Sequence, residues 1–558
     1  MRDGRSMIKQ RIFSEVIRKG EAELEHLARM NQEAAKVNGD FLKRCLSQNA
    51  ETEYGKKYDF RSIGSYSDYA ERVPITGWED VRPWADLIAE DGKQNVLFQD
   101  DVACFYFTSG TTGQKKRVPC SKKAMATQNR YLVDAMFGTI ARELGDIWSE
   151  GGILLVNESG ARFTKAGFPV FNISGRLINT QRKLASFLYV SPTEAMLPSG
   201  PTESMTLHAL AALADPTVSD IESSFVVFPV ELMQYIESHW AHLAEQIATG
   251  TLDPAIRMPA EARKSLTRRI RPNPERARRI EEVFRNRKGD TFMPELWPGL
   301  QVISAGTAAD FGFFEHRMRA YAGDRVHFYH RGYTSSEGIF TIPESLDDSD
   351  GVLLADAAFY EFRLEDGRIL TMDQLSQGMQ GSLIVTTESG LYRYDMQEKV
   401  KVTGFSGSCP RLRLLGRERK QLDITGEKLD LPLVNEAVER ACEAVGTRLI
   451  VYTVYPDRTA RPVPRYEFYL EIEGSAEPLA LQRALTAEIR KINEDLDRKF
   501  DSGKIGLPVV NLLPSGTWSA FMQPLREQAL SEGRQIKPIC LLTGEDQAAF
   551  FRERSLKG

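Results

Sequence analysis

From residue 7 to 49 apolar side chains recur at helical spacing, with Ile8, Ile12, Val16, Leu24 and Leu27 on one stripe, and the pattern predicts helix. A loop-rich stretch with Tyr54, Tyr58 and Pro74 follows. Short apolar runs then come at Ala103–Phe107, Ile153–Val156, Phe225–Val230, Val302–Ala305 and Val326–Tyr329, each of strand length, with helical patterns between several of them. That alternation predicts an α/β body with a largely parallel sheet. From 355 to 405 the strands crowd together. Phe359-Tyr-Glu-Phe, Gly381-Ser-Leu-Ile-Val-Thr-Thr and Lys399-Val-Lys-Val-Thr are separated by the turn signals Asp366-Gly367 and Ser389-Gly390, which predicts an antiparallel subdomain. After Asp423 the pattern restarts. Val434–Ala444 reads as an amphipathic helix, Leu449–Tyr455 and Tyr466–Ile472 as strands, and Leu479–Phe500 as one long helix. The expected fold class is therefore α/β: a large N-terminal α/β body with mostly parallel sheets and an antiparallel subdomain over residues 1–423, then a smaller C-terminal α+β domain over 424–558.

Composition narrows the function classes. The chain has 558 residues, 42% hydrophobic and 27% charged, enough apolar content for a sizeable core. Lys plus Arg is 72 against 77 for Asp plus Glu, a net charge of -5, so the basic excess of a nucleic-acid binder is missing. The basic run from Arg263 to Arg279 reads as a solvated helix face. Six scattered cysteines form no C-x-x-C pair, which suits a reducing compartment. The N-terminus lacks the apolar core of a secretory signal and no run of about 18 apolar residues occurs, so a cytoplasmic protein with no membrane partner is expected.

The strongest chemical signal follows the run at Ala103. Thr108-Ser109-Gly110-Thr111-Thr112-Gly113 leads into Lys115 and Lys116. Glycines permit a tight turn with free N–H groups, hydroxyls add donors, and lysines add charge, which together suit the phosphates of ATP. Only two residues separate the glycines, so this is not a Walker A loop. A second signal is Tyr333-Thr-Ser-Ser336-Glu337-Gly338: a ring that can stack on a base and a carboxylate that can hold Mg²⁺. Three more segments are Leu391-Tyr-Arg-Tyr-Asp-Met-Gln-Glu398, Gly416-Arg417 with Gln421-Leu-Asp423-Ile-Thr-Gly426-Glu-Lys428, and Gly516-Thr517-Trp518 with Gln535-Ile-Lys537-Pro538. His239, His242, His327 and His330 complete no metal set, and structural or solvent-exposed roles are expected for them. No G-x-S-x-G elbow occurs, which argues against a serine hydrolase.

Taken in order, these segments resemble the acyl-adenylate-forming superfamily, and within it the auxin-responsive acyl-acid amido synthetases of plants and their bacterial relatives. The resemblance is carried by the Thr108–Gly113 loop, Tyr333–Gly338, Tyr360-Glu-Phe362, Thr386–Tyr394, Lys401–Phe405, Gly516–Trp518 and Gln535–Pro538. It implies an ATP-dependent ligase that adenylates a small carboxylic acid, of auxin-like, jasmonate-like or benzoate-like type, and passes the acyl group to an amino acid, with release of AMP and pyrophosphate. It also implies residue roles. Ser109, Gly110, Thr111, Thr112 and Lys116 fall on the phosphate loop. Thr307 and Tyr333 fall where adenine and the α-phosphate are held, with Ser336 beside them. Glu337 falls on the Mg²⁺-associated glutamate, Arg417 on a ribose-contacting arginine, and Lys537 on a catalytic lysine carried by a mobile C-terminal domain. Ile339 and Phe340, next to Glu337, are expected near the acid. At the ribose position such sequences read Gly-Asp, whereas this chain has Gln397-Glu398. Glu398 is assigned the ribose hydroxyls, with Asp395 as the alternative, and Gln397 is expected to abandon the positive φ a glycine permits. Two other readings stay open: an acyl-CoA or acyl-carrier ligase forming a thioester, and a nucleotide-binding protein without catalysis.

Overall fold

The computed structural model describes residues 2–108, 116–148, 151–155, 162–175, 183–195, 200–307, 312–417, 421–427, 429–531 and 538–556. These cluster into two compact units: one from the chain up to Leu414, the other from Leu415 onward together with the short segment 309–317; residues 529–535 fall with the first.

In the first unit, helices Arg2–Met30 and Ala34–Gln48 occupy the stretch where helix was expected. A hairpin follows, β1 (Val102–Thr108) and β2 (Lys116–Ser121), paired so that Thr108 faces Lys116. Next along the chain are β3 (Gly151–Leu155), β4 (Arg162–Phe163) and β5 (Pro169–Phe171), then β6 (Val218–Phe225), β7 (Val302–Gly306) and β8 (His327–His330). Strands β3, β6, β7 and β8 form one all-parallel sheet in that order, while β2, β1, β5 and β4 form a mixed one. Parallel pairing is therefore concentrated in a single four-stranded sheet.

The register of that sheet explains its composition. Ile153, Ile221, Ile303 and Phe328 lie in one cross-strand row, all buried. The next row, Leu154, Glu222, Ser304 and Tyr329, points to the other face. Glu222 and Ser304 are satisfied there: Tyr189 OH donates to Glu222 Oε1 at 2.9 Å, and Arg331 donates to Glu222 Oε2 at 2.9 Å and to Ser304 Oγ at 3.1 Å. The expected strand at Phe225–Val230 is a correction. The strand is the preceding Val218–Phe225, and a helix starts at Val227 and runs to Thr249. Short apolar runs fit either state, and packing decides.

The antiparallel subdomain is present. Two short paired strands, β9 (Thr334–Ser335) and β10 (Gly338–Ile339), precede β11 (Thr341–Ile342), β12 (Gly351–Leu353), β13 (Ala358–Arg363), β14 (Ile369–Thr371), β15 (Gln380–Thr387), β16 (Tyr394–Ser406) and β17 (Cys409–Arg417). The last seven make one sheet, ordered β11-β12-β17-β16-β15-β13-β14. Its turns use Gly367 and Gly390, both at positive φ.

The second unit carries β18 (Gln421–Leu422), β19 (Leu429–Asp430), β20 (Arg448–Asp457), β21 (Arg465–Glu473) and β22 (Gly506–Leu512), the last three in one sheet. Helices Leu431–Ala444 and Pro478–Ile492 pack together beside it. The single helix expected over 479–500 is two, Pro478–Ile492 and Glu494–Asp501. Asn493 breaks it: its backbone is extended, its Oδ1 accepts Leu496 N–H at 2.9 Å, and its Nδ2 donates to the Glu427 carbonyl at 2.8 Å.

Candidate functional site

The phosphate-loop residues Ser109, Gly110, Thr111 and Thr112 lie outside the described residues; the strands on both sides of them do not. Lys116 opens β2 opposite Thr108. Its Nζ donates to the Tyr394 hydroxyl at 3.1 Å and stands 5.8 Å from that ring's centroid. One residue before Thr108, the Phe107 carbonyl accepts a hydrogen bond from Ser336 Oγ at 3.0 Å. The base of the β1–β2 hairpin is thus tied to the Tyr333–Gly338 element and to the start of β16, three segments far apart in sequence.

The Tyr333 element follows directly from β8, at the carboxyl end of the parallel sheet, where open α/β sheets form ligand crevices. Tyr333 is buried and packs edge-on against Phe340, with ring centroids 5.1 Å apart. Phe340 in turn meets Tyr360 at 6.2 Å. Ile339 is 2% exposed and Phe340 0%, so both belong to the core beneath Tyr333 and present no surface to an acid. Glu337 is partly exposed; its backbone N–H is held by Ser335 Oγ at 3.2 Å, and among the described residues nothing pairs with its carboxylate. A lone carboxylate beside phosphate oxygens is a donor set that suits Mg²⁺. No cluster of three or more His, Cys, Asp and Glu side chains fit for a metal occurs among the described residues.

Thr307, just past β7, is buried, and its Oγ1 shares a hydrogen bond with His330 Nδ1. His330 is itself buried in the sheet, opposite Ala305. The other histidines of interest are peripheral: His327 pairs with Asp347 at 2.7 Å, His242 with Asp253 at 2.9 Å, and His239 stacks on Tyr235. Contact with a site residue separates His330 from that group, and no sequence spacing signals it.

The Leu391–Glu398 segment divides into floor and rim. Arg393 is buried at φ 46°, and its guanidinium grips Glu361 of β13, with Nε 3.1 and 3.0 Å from the two carboxylate oxygens and Nη2 2.8 Å from Oε1. Its Nη1 donates to the carbonyls of Ala70 at 2.6 Å and Val73 at 2.9 Å. Two of the motifs that carry the resemblance, Tyr360-Glu-Phe and Leu391-Tyr-Arg-Tyr, are therefore the halves of one buried clamp. Asp395 is committed to Arg363 at 2.8 Å and to the Gln397 N–H at 2.9 Å. Glu398 lies on the same strand and is partly exposed. Gln397 keeps the left-handed backbone expected to be lost, with φ 54°, at a shift in the β15–β16 register. Between the pairs Ser382–Lys399 and Ile384–Asp395, β16 carries two more residues than β15, and Gln397 takes the left-handed conformation within that irregularity.

In the second unit, Arg417 ends β17, while Lys537 lies outside the described residues. The segment after Lys537 is anchored. Trp518 Nε1 donates to the Ile539 carbonyl at 3.4 Å. Val454 N–H donates to the Cys540 carbonyl at 2.8 Å, and Leu542 N–H donates to the Val454 carbonyl at 2.9 Å. Glu471 on β21 receives the N–H groups of Gly516, at 2.8 Å, and Trp518, and burial raises its pKa. The Gly-Thr-Trp motif is thus the capped start of helix Thr517–Ser531. Glu427 organises its own turn in a similar way, accepting the N–H groups of Ile424 at 2.6 Å and Thr425 at 2.9 Å, and the hydroxyl of Tyr466. In the basic stretch Lys264, Arg268, Arg271, Arg278 and Arg279 are exposed, Arg263 is partly exposed and donates to the Asp253 carbonyl at 3.1 Å, and Arg276 is buried on the Leu213 carbonyl at 2.6 Å, its pKa lowered by burial to about 10.

Comparison with known proteins agrees along most of the chain. Residues 23–327 match the GH3 family N-terminal domain, 351–417 the GH3 family central domain and 433–545 the GH3 family C-terminal domain. A putative indole-3-acetic acid-amido synthetase, GH3.9 of Arabidopsis thaliana, is 24% identical over 95% of this chain and 97% of its own. The 4-substituted benzoates-glutamate ligase GH3.12 of Arabidopsis thaliana is 24% identical over 91% of this chain and 93% of its own. The solved structure of the GH3.15 acyl acid amido synthetase has the same fold, with a TM-score of 0.84 at 20% identity and 96% of each chain covered. With all three of its domains matched in order, the chain belongs to the GH3 family.

Proposed function

We propose that this protein is an ATP-dependent acyl-acid amido synthetase. The observation that carries the proposal is the knot at the base of the β1–β2 hairpin, where Lys116 meets Tyr394 and Ser336 meets Phe107. It gathers the candidate phosphate, adenine and ribose segments of a GH3 chain at one place in the first unit.

The chemistry has two steps. A carboxylate is a poor acyl donor because oxide would have to leave. In the first step a carboxylate oxygen attacks the α-phosphorus of ATP, the bond to the β-phosphate oxygen breaks, and pyrophosphate departs. In the second, the amine of an amino acid attacks the acyl carbon, loses a proton, and AMP leaves with the former carboxylate oxygen. The first step brings anions together, so its demand is for fixed positive charge and donors. Lys116 supplies a cation held in place by Tyr394, and the hydroxyl of Thr307 supplies a donor at the end of β7, while Ser336, whose hydrogen goes to the Phe107 carbonyl, fixes the Tyr333–Gly338 element to the hairpin. Glu337 is the residue that would hold Mg²⁺, which neutralises phosphate charge when bound. Lys537 is assigned to the adenylation step and Arg417 to the ribose, both on the C-terminal side of the chain. The acid is small, of auxin-like or benzoate-like type, and the acceptor is an amino acid.

The test is pyrophosphate release by the full chain with ATP and Mg²⁺ over a panel of aryl and alkyl acids, with and without mixed amino acids or CoA. Acid-dependent release with an amide formed only when amino acids are added is the expected result. A thioester with CoA, or no release with any acid, would overturn the assignment.

A further inference from the structure

Thr307 has one hydroxyl hydrogen and two places to send it. The end of β7 is held tightly: Val226 N–H donates to the Gly306 carbonyl at 3.1 Å, and a Cβ on Gly306 would stand 2.8 Å from the Ser224 carbonyl oxygen. The next side chain, Thr307, is 8% exposed and bonded to His330 Nδ1; His330 is 4% exposed and fixed in register on β8. A neutral imidazole carries its proton on one nitrogen only. Were Nδ1 bare, the threonine would donate to it and turn lone pairs toward the crevice, where a phosphate oxygen would be repelled. With the proton on Nδ1, histidine donates, Oγ1 accepts, and the threonine hydrogen is left for an anion.

We propose that His330 is a positioning residue for nucleotide binding: as the Nδ1–H form, it holds the Thr307 hydroxyl so that its hydrogen is directed at a phosphate oxygen of ATP. This rests on the assignment of Thr307 to the nucleotide site. His330 acts only through Thr307 and touches no substrate. Loss of one hydrogen bond to a charged group weakens binding on the order of 10-fold.

The test is calorimetric titration of ATP with Mg²⁺ into the full chain, for wild type, His330→Ala, His330→Asn, His330→Gln, Thr307→Val and the Thr307→Val/His330→Ala double variant, each first checked by thermal unfolding. An asparagine amide N–H falls near the place of Nδ1, whereas glutamine reaches toward Nε2. The expected pattern is a loss of on the order of 10-fold for alanine, most of it restored by asparagine and not by glutamine, and no further loss when His330→Ala is added to Thr307→Val. Equal losses for asparagine and glutamine, or losses that multiply in the double variant, would overturn the proposal. Should the alanine variant not fold, the asparagine and glutamine pair decides alone. Absence of ATP binding in the wild type would refute the nucleotide site and the proposal together. ATP binding with the expected pattern but no pyrophosphate release from any acid would leave His330 in place and refute the ligase assignment.

Discussion

Replacing Arg393 by methionine separates a structural from a catalytic reading of the Leu391–Tyr394 motif. The side chains of Arg393 and Glu361 are 5% and 1% exposed, so neither charge has water to fall back on. The substitution would leave Glu361 with the Tyr66 hydroxyl at 2.8 Å as its remaining partner, and would strip the carbonyls of Ala70 and Val73 of their donor. Breaking a buried pair by removing one member costs about 3–5 kcal/mol, because the surviving charge is uncompensated. Replacing both members by apolar residues costs far less, since no lone charge remains. Arg393→Met should therefore destabilise the first unit by about 4 kcal/mol, and the Arg393→Met/Glu361→Leu double variant by clearly less. Urea unfolding followed by tryptophan fluorescence and by far-ultraviolet circular dichroism measures both, with ATP titration on whatever remains folded. A cost below about 1 kcal/mol, or an unchanged unfolding midpoint with ATP binding lost, would show that Arg393 faces a ligand and that the clamp account is wrong.

Other substitutions address single features. Gln397→Gly should raise stability by about 0.5–1 kcal/mol in urea unfolding, because a left-handed non-glycine residue costs about 1–2 kcal/mol and glycine's extra chain entropy returns part of that; a loss of stability would mean the glutamine side chain holds the bulge. Tyr394→Phe removes the acceptor of Lys116 at 3.1 Å; a lost hydrogen bond of about 1 kcal/mol corresponds to roughly fivefold in pyrophosphate release, with unfolding nearly unmoved, and an unchanged rate would show that Tyr394 does not position the lysine. Asp356 lies in the first unit against Arg130 at 3.0 Å. Burial alone would raise its pKa, but His26 at 3.8 Å, the Arg130 charge and the Tyr131 hydroxyl hold it down at about 2, against an ordinary 3.8. A depressed folded value contributes stability above pH 3.8 that is lost as pH falls through about 2, so Asp356→Asn should flatten acid unfolding in that window, by on the order of 2 kcal/mol; identical acid profiles for the two proteins would contradict it.

Which parts of the molecule were legible in sequence follows from where polarity is tolerated. The antiparallel sheet was readable because its short strands crowd together and its turns carry Gly367 and Gly390 at positive φ. The strand Val218–Phe225 was hidden by its own content. Asp220 and Glu222 read as surface residues, yet they are buried in the sheet, Glu222 held by Tyr189 and Arg331 from segments 33 and 109 residues away. The break at Asn493 was invisible because the apolar stripe continues across it, while its extended backbone, its cap on Leu496 and its reach to the Glu427 carbonyl separate the helices. Among the site candidates, Lys116 and Ser336 stand out by their motifs, and the structure adds the contacts of Lys116 with Tyr394 and of Ser336 with Phe107. Ile339 and Phe340 look like pocket residues by proximity to Glu337, but they are core. His330 carries no signal in the sequence because histidine spacing points only to metal sets, whereas its contact with Thr307 is made through the fold.

The central claim is that a carboxylate of the acid becomes bonded to the α-phosphorus of ATP before an amide forms. Incubating the full chain with ATP, Mg²⁺, amino acid and an acid whose carboxylate is labelled with oxygen-18 tests that claim directly by mass spectrometry of the released nucleotide. The account predicts one labelled oxygen in AMP for each amide made. Label in inorganic phosphate with release of ADP, or amide formed with unlabelled AMP, would contradict it.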